Sequence, residues 1–191
     1  MTHEAGHLSD DRLDKIAVRK VHDGNTEAFS SIVARYSAQL FVLAVRMTGS
    51  REDAEEATQE IFLRAYRALE SFNPELRFFS WLYTIAVNYL RSLHRKRSRE
   101  PHEETFSLAE RVVPDRPPGT ISQPEQHALS GAASHLVTAA LKSLRPRHRQ
   151  AFVLRHLRGL STAEVSSILG VGENTVKTRL RRARSELQLY L

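Results

Sequence analysis

At 191 residues, 41% of them hydrophobic, the chain is long enough to bury one large core or two small ones. The absence of cysteine fits a reducing compartment and excludes disulfides, thiolate metal sites and cysteine nucleophiles, while the net charge of +6 is divided unevenly along the chain. No apolar run approaches the roughly 18 residues of a membrane helix, and the polar, acidic start MTHEAGHLSDD lacks the order of a signal peptide, so a cytoplasmic location is expected.

The start reads as a polar tail; no metal role is assigned to its His3 and His7, and no cofactor is implied. The first helical pattern, TEAFSSIVARYSAQLFVLAVRMTG, ends at Gly49, a natural C-cap. Ser50, three residues before Asp53, gives a capping-box-like start to a second helix, DAEEATQEIFLRAYRAL. At 100° per residue its Ala54, Ala57, Ile61, Ala65 and Ala68 fall on one side, which predicts the buried face. Glu56, Gln59, Glu60, Leu63 and Tyr66 fall on the other. Large side chains among carboxylates form the mixture of a partner surface, and the carboxylates suit a basic partner.

A third helix begins near Ser80 in FFSWLYTIAVNYLRSLHRKR, with Leu82, Ile85, Ala86, Tyr89 and Leu93 as its expected buried stripe. Opposite them Thr84, Asn88, Arg91 and Arg95 form a polar and basic line suited to phosphates and base edges. The preceding FNPELRFF sets Phe72, Phe78 and Phe79 beside Arg77. Aromatics next to a basic strip suggest stacking on unpaired bases, although Phe79 and Trp81 fit a core better.

Between Arg99 and Gln126 lie five of the seven prolines with Glu100, Glu103, Glu104, Glu110, Asp115 and Glu125, so periodicity breaks down and the run reads as a linker. About 35 extended residues reach about 120 Å at most. From His135 onward Lys142, Arg145, Arg147, Arg149, Arg155, Arg158, Lys177, Arg179, Arg181, Arg182 and Arg184 face only Glu164, Glu173 and Glu186. With RSLHRKR at 91–97 this makes two separated basic patches, hence two contacts with a polyanion.

Pro146 opens a helix that Gly159 closes; Ser161 and Glu164 match a capping box; Gly170 and Gly172 turn the chain into GENTVKTRLRRARSEL. Capped helix, glycine-containing turn and basic helix make a helix-turn-helix pattern. On the last helix Val176, Leu180, Ala183 and Leu187 line the buried side. Asn174, Lys177, Thr178, Arg181 and Arg182 are placed to enter a major groove, with Arg179 and Arg184 nearer the flanks. Such a unit alone fits a repressor, an activator or a polymerase subunit equally well.

Together, DAEEATQEIFLRAYRAL, FFSWLYTIAVNYLR and LRPRHRQAFVLRHLRGLSTAEVSSILGVGENTVKTRLRRAR resemble, in that order, signature segments of the bacterial sigma-70 superfamily, over about residues 25–97 and 134–188. A bare linker between the two segments resembles its extracytoplasmic-function (ECF) group. The resemblance implies an all-α fold of two small helical domains, with 1–97 as region 2, 98–133 as linker and 134–191 as region 4. It implies a sigma factor that binds core RNA polymerase (beta-prime and beta subunits) and promoter DNA, performs no covalent chemistry and is held by an anti-sigma factor, in some cases membrane-anchored. Polymerase contact would fall to Asp53, Glu56, Gln59, Glu60, Phe62, Leu63 and Tyr66. The minus-10 element would fall to Arg77, Thr84, Asn88, Arg91 and Arg95, and the minus-35 element to Asn174, Lys177, Thr178, Arg181 and Arg182. Two functions from other classes remain as alternatives. A response-regulator-type transcription regulator needs a receiver or ligand-binding domain of parallel strands, which the first hundred or so residues do not suggest. An enzyme such as a nuclease needs clustered carboxylates or a Ser/His/Asp arrangement, and none stands out from the helix faces.

Overall fold

The computed structural model describes residues 2–97 and 136–190, the side chains of 2–10, 97, 157 and 190 excepted, and among them contains helices and no strand. The linker expected at 98–133 lies outside the described residues. The helices are α1 (Thr2–His22), α2 (Phe29–Thr48), α3 (Arg51–Arg67), α4 (Phe78–Arg97), α5 (136–143), α6 (Pro146–Phe152, running into a π turn Val153–Leu157), α7 (Thr162–Leu169) and α8 (Glu173–Tyr190). The segment expected to be a polar tail is therefore helical. Its later turns bury Ala17 and Val18 in the core, and Asp14, fully buried, pairs with Arg35 and accepts a 2.5 Å hydrogen bond from the Tyr36 hydroxyl. Sequence periodicity misses α1 because its apolar stripe is narrow and one inward position is a carboxylate.

Helix α2 is the centre of the N-terminal bundle. With the turn before it, Thr26–Thr48 is apolar and long enough to cross a membrane by composition alone, contrary to the expectation that no such run exists. Its Ile32, Leu40, Leu43 and Ala44 are wholly buried against neighbouring helices, as in the core helix of a bundle. Gly49 ends it in the left-handed region at φ 76°, and Ser50 Oγ then accepts from the Asp53 N–H to start α3. As expected, Ala54, Ala57, Ile61 and Ala65 form the wholly buried face of α3.

The aromatics before and inside α4 are core. Phe72, Phe78 and Trp81 form a triangle with ring centroids 5.2–5.3 Å apart, and Phe79 stacks on Tyr83 at 4.1 Å. Phe78 is 0% exposed and Phe72 4%, so neither is placed to stack on an unpaired base, correcting that expectation. The buried stripe of α4 is also wider than predicted. Leu82, Tyr83, Ala86, Val87 and Leu90 are buried while Ile85, Tyr89 and Leu93 are partly so, because α4 is covered both by the N-terminal bundle and by α7.

The C-terminal unit has shorter helices and is pinned by polar groups. Pro146 occupies the first turn of α6, Ser161 and Glu164 complete the reciprocal capping box of α7, and Gly170 closes α7 at φ 63°. Arg149 and His148 are buried; Arg149 Nη2 donates to the Lys142 and Leu144 carbonyls at 2.9 and 3.2 Å, tying α5 to α6. Glu186 of α8 accepts from the Arg145 N–H at 3.1 Å and contacts His148 Nδ1 at 2.9 Å. Burial raises the Glu186 pKa, but the hydrogen bonds from Arg145 and His148 and the attraction of both outweigh it, leaving the carboxyl below its ordinary value.

Candidate nucleic-acid and partner interfaces

Three surfaces stand out. On α3, Glu56 and Gln59 are exposed, and Leu63 and Tyr66 remain 50% and 40% exposed. Glu60 is held by Arg64 at 2.7 Å, and the Arg64 guanidinium lies 4.7 Å over the Tyr89 ring, so the carboxylate is fixed rather than free to wander. Asp53 sits half-buried at the cap. Phe62, grouped by resemblance with this face, points the other way: it is 8% exposed and meets Phe29 edge-on at 6.4 Å. Its part is to fix the helix, and the same Phe29 supports Tyr66 at 5.2 Å.

The second surface is the outer line of α4. Asn88 and Arg95 are exposed, whereas the Thr84 hydroxyl donates to the Ser80 carbonyl at 2.7 Å within its own helix. Arg77 pairs with Glu164 at 3.1 Å and Arg91 donates to Gln150 Oε1 at 3.3 Å, so both engage the C-terminal unit. The helix start has no side-chain acceptor of its own, because an arginine precedes it. Asp11 of α1 supplies one, accepting the Phe78 N–H at 2.8 Å while Lys15 holds its other oxygen at 3.0 Å.

The third surface is α8. Asn174, Lys177, Thr178, Arg181 and Arg182 are all exposed, opposite the buried Val176, Leu180 and Ala183. Thr178 donates to the Asn174 carbonyl at 2.9 Å, leaving its oxygen as an acceptor. Arg179 is half-buried, and burial with Arg91 and Arg147 nearby lowers its pKa, which places it at the seam between the two units.

That seam was not legible in the sequence. Arg149 Nη1 reaches the Met47 carbonyl at the end of α2 (2.9 Å), and Arg46 donates to Thr138 at 2.6 Å. Arg158 hydrogen-bonds Gln39 and lies 5.7 Å over the Tyr83 ring. Burial pushes the Tyr83 hydroxyl up to about 12 even though Arg158 pulls it down. The Lys142 chain crosses Gly49 so closely that a Cβ there would lie 1.7 Å from its Cε. Asp11, Gln39, Gln150 and Arg158 carry no local motif, and Arg149 reads as one more surface cation.

Comparison with known proteins agrees in order and position. Residues 32–100 match the model for Sigma-70 region 2, and 134–187 that for Sigma-70, region 4. The chain is 34% identical over 182 residues to the ECF RNA polymerase sigma-E factor of Escherichia coli (strain K12), covering 94% of this chain and 95% of that one. It is 32% identical over 185 residues to the corresponding factor of Haemophilus influenzae, covering 95% and 96%. Among solved structures it is similar to CnrH in complex with the cytosolic domain of CnrY, at a TM-score of 0.66 and 27% identity, covering 93% of this chain and 96% of that one. It is also similar to the sigma factor RpoE in complex with the anti-sigma factor NepR from Bartonella quintana, at 0.63 and 25%, covering 85% and 95%.

Proposed function

Because the chain belongs to the extracytoplasmic-function group of the sigma-70 family, we propose that it binds core RNA polymerase in the cytoplasm and directs it to promoters through separate minus-10 and minus-35 contacts. The observation that carries this reading is the presence of three different surfaces on one chain: carboxylates, Glu60 among them fixed by Arg64, with exposed Leu63 and Tyr66 on α3, a polar and basic line on α4, and a free basic face on α8. A regulator that only binds duplex DNA has no use for the first two. The unit 1–97 takes polymerase and the minus-10 element, and 134–191 takes the minus-35 duplex.

On this reading Asp53, Glu56, Gln59, Glu60, Leu63 and Tyr66 face the polymerase, with Phe62 supporting them from beneath. Arg77, Asn88, Arg91 and Arg95 hold the minus-10 strand, with Thr84 at the head of the line. Asn174, Lys177, Thr178, Arg181 and Arg182 read the minus-35 duplex. Promoter opening draws its free energy from holding unpaired bases better than paired ones, about 1–3 kcal/mol per stacked base. Since Phe72 and Phe78 are core, those bases meet the outer line of α4 and the 73–77 loop. No bond is made or broken by this chain; RNA synthesis belongs to the core enzyme. An anti-sigma partner is proposed as well, supported by the complexes in which the similar structures CnrH and RpoE were solved. The double variant Gln59→Ala/Glu60→Ala should lose co-elution with core polymerase on gel filtration while keeping duplex minus-35 binding. Equal loss of both would refute the separation of surfaces.

A further inference from the structure

The end of α6 widens into its π turn, where the Arg158 N–H reaches back five residues to the Val153 carbonyl at 3.2 Å. Turns of this kind frequently mark functional sites. This one carries Arg155 and His156. The His156 ring packs on Phe152 with centroids 4.7 Å apart, and its Nε2 lies 3.4 Å from Arg184 Nη2 of α8. A guanidinium can only donate, so Nε2 is the acceptor and the neutral ring carries its proton on Nδ1.

Three basic groups thus stand together. Partial desolvation, then the positive charges of Arg184 and Arg155, hold the His156 pKa below the ordinary value of 6.5. The nearby carboxylates of α8 and α7 are turned elsewhere, Glu186 to Arg145 and His148, Glu164 to Ser161 and Arg77. Protonating the ring in the absence of an anion would break the Arg184 bond and set three cations side by side. A phosphate reverses the sign of that interaction, because Arg184 and a protonated Nε2 can both donate to it. The cluster is also where a phosphate would come. Arg184 follows Arg181 by three positions, so the two are neighbours on the surface of α8, and both are exposed, as is His156. The basic face therefore continues onto the flank of the helix, where a groove-bound helix meets backbone rather than base edges.

We propose that His156, set between Arg155 and Arg184, takes up a proton from solvent as it contacts a backbone phosphate of the minus-35 duplex, so that duplex binding by the C-terminal unit is linked to pH. This rests on the minus-35 reading of α8 and adds a DNA-contacting residue outside that helix.

The test titrates the full chain by calorimetry with two duplexes, one carrying the minus-35 element of a mapped promoter and one scrambled. Two buffers of different ionisation enthalpy then read the protons taken up on binding. Wild type should take up a fraction of a proton near pH 6.5 and almost none at pH 8. A pKa raised in the complex strengthens binding below it, so affinity should rise as pH falls from 8 to 6, by up to about tenfold for each unit of rise. His156→Gln, which cannot become charged, should bind about two- to tenfold more weakly than wild type at pH 6 and within about twofold of it at pH 8, with no change in melting temperature. The slope of log affinity against log salt should steepen by up to about 0.9 between pH 8 and pH 6 in wild type and stay constant in His156→Gln. His94 and His148 are present in both chains, so the difference between them isolates His156. Proton uptake equal in wild type and His156→Gln would overturn the proposal. If His156→Gln fails to fold, the permanently charged His156→Lys decides: its affinity should vary little with pH, and a dependence as steep as that of wild type would overturn the proposal. The two readings fail separately. His156-dependent uptake on both duplexes, with no preference between them, keeps the phosphate contact and loses the promoter reading; preference for the minus-35 duplex without such uptake does the reverse. Failure to bind either duplex overturns both.

Discussion

The N-terminal bundle and the C-terminal unit achieve order in different ways. The first has helices of 17–21 residues meeting through large apolar groups, with Phe78, Tyr83, Leu82 and Ile61 wholly buried. In the second, α6 and α7 have 7 and 8 residues, below the length at which helices hold themselves, and the unit relies on caps and pins: Pro146, the Ser161–Glu164 box, and Glu186 on Arg145 and His148. Packing through large apolar groups leaves the outer face of α3 available for a partner. Pinning a small unit from within leaves one whole face of α8 available for a groove.

The N-terminal bundle is most sensitive at Phe78. Phe78→Ala removes one corner of the aromatic triangle and should destabilise the N-terminal bundle by about 3–5 kcal/mol in chemical denaturation. A loss below about 1 kcal/mol would show that the cluster is not what holds the bundle. On the other unit, Arg182→Ala should weaken duplex minus-35 binding by about 1–3 kcal/mol with no change in folding, measured by fluorescence anisotropy and thermal melting. Ser161→Ala deletes half the capping box and should cost about 1 kcal/mol of C-terminal-unit stability. The smallest effect is a pH dependence from Glu186. Its folded pKa lies below the ordinary carboxylate value, so its contribution is present above the unfolded value and fades as pH falls through the folded one. In Glu186→Gln that part of the acid-side decline should vanish from the melting curve.

Most of the element order is readable in the sequence because each start and stop has a local chemical cause: Gly49 and Gly170 as left-handed ends, Ser50 and Ser161 as caps, Pro146 as a first turn. The five α8 positions, and Glu56, Gln59, Leu63 and Tyr66 on α3, are exposed as helical periodicity predicts. What escaped has a non-local cause. Helix α1 hides its register behind an inward-facing Asp14 whose partners, Arg35 and Tyr36, lie a helix away. Phe62 is grouped with the outward face by resemblance, and Phe72 and Phe78 are read beside the basic strip from their neighbours in the chain, neither of which shows that Phe29 or Trp81 packs against them. The seam, joining residues about 60 to 120 apart in sequence, is invisible to any pattern along the chain.

Whether the two units act as one device on polymerase is tested directly by run-off transcription with purified core polymerase, on a promoter mapped after overexpression of this chain. Transcripts should start at one position only when the chain is present, and should vanish with Gln59→Ala/Glu60→Ala. Equal transcription with and without the chain would contradict it.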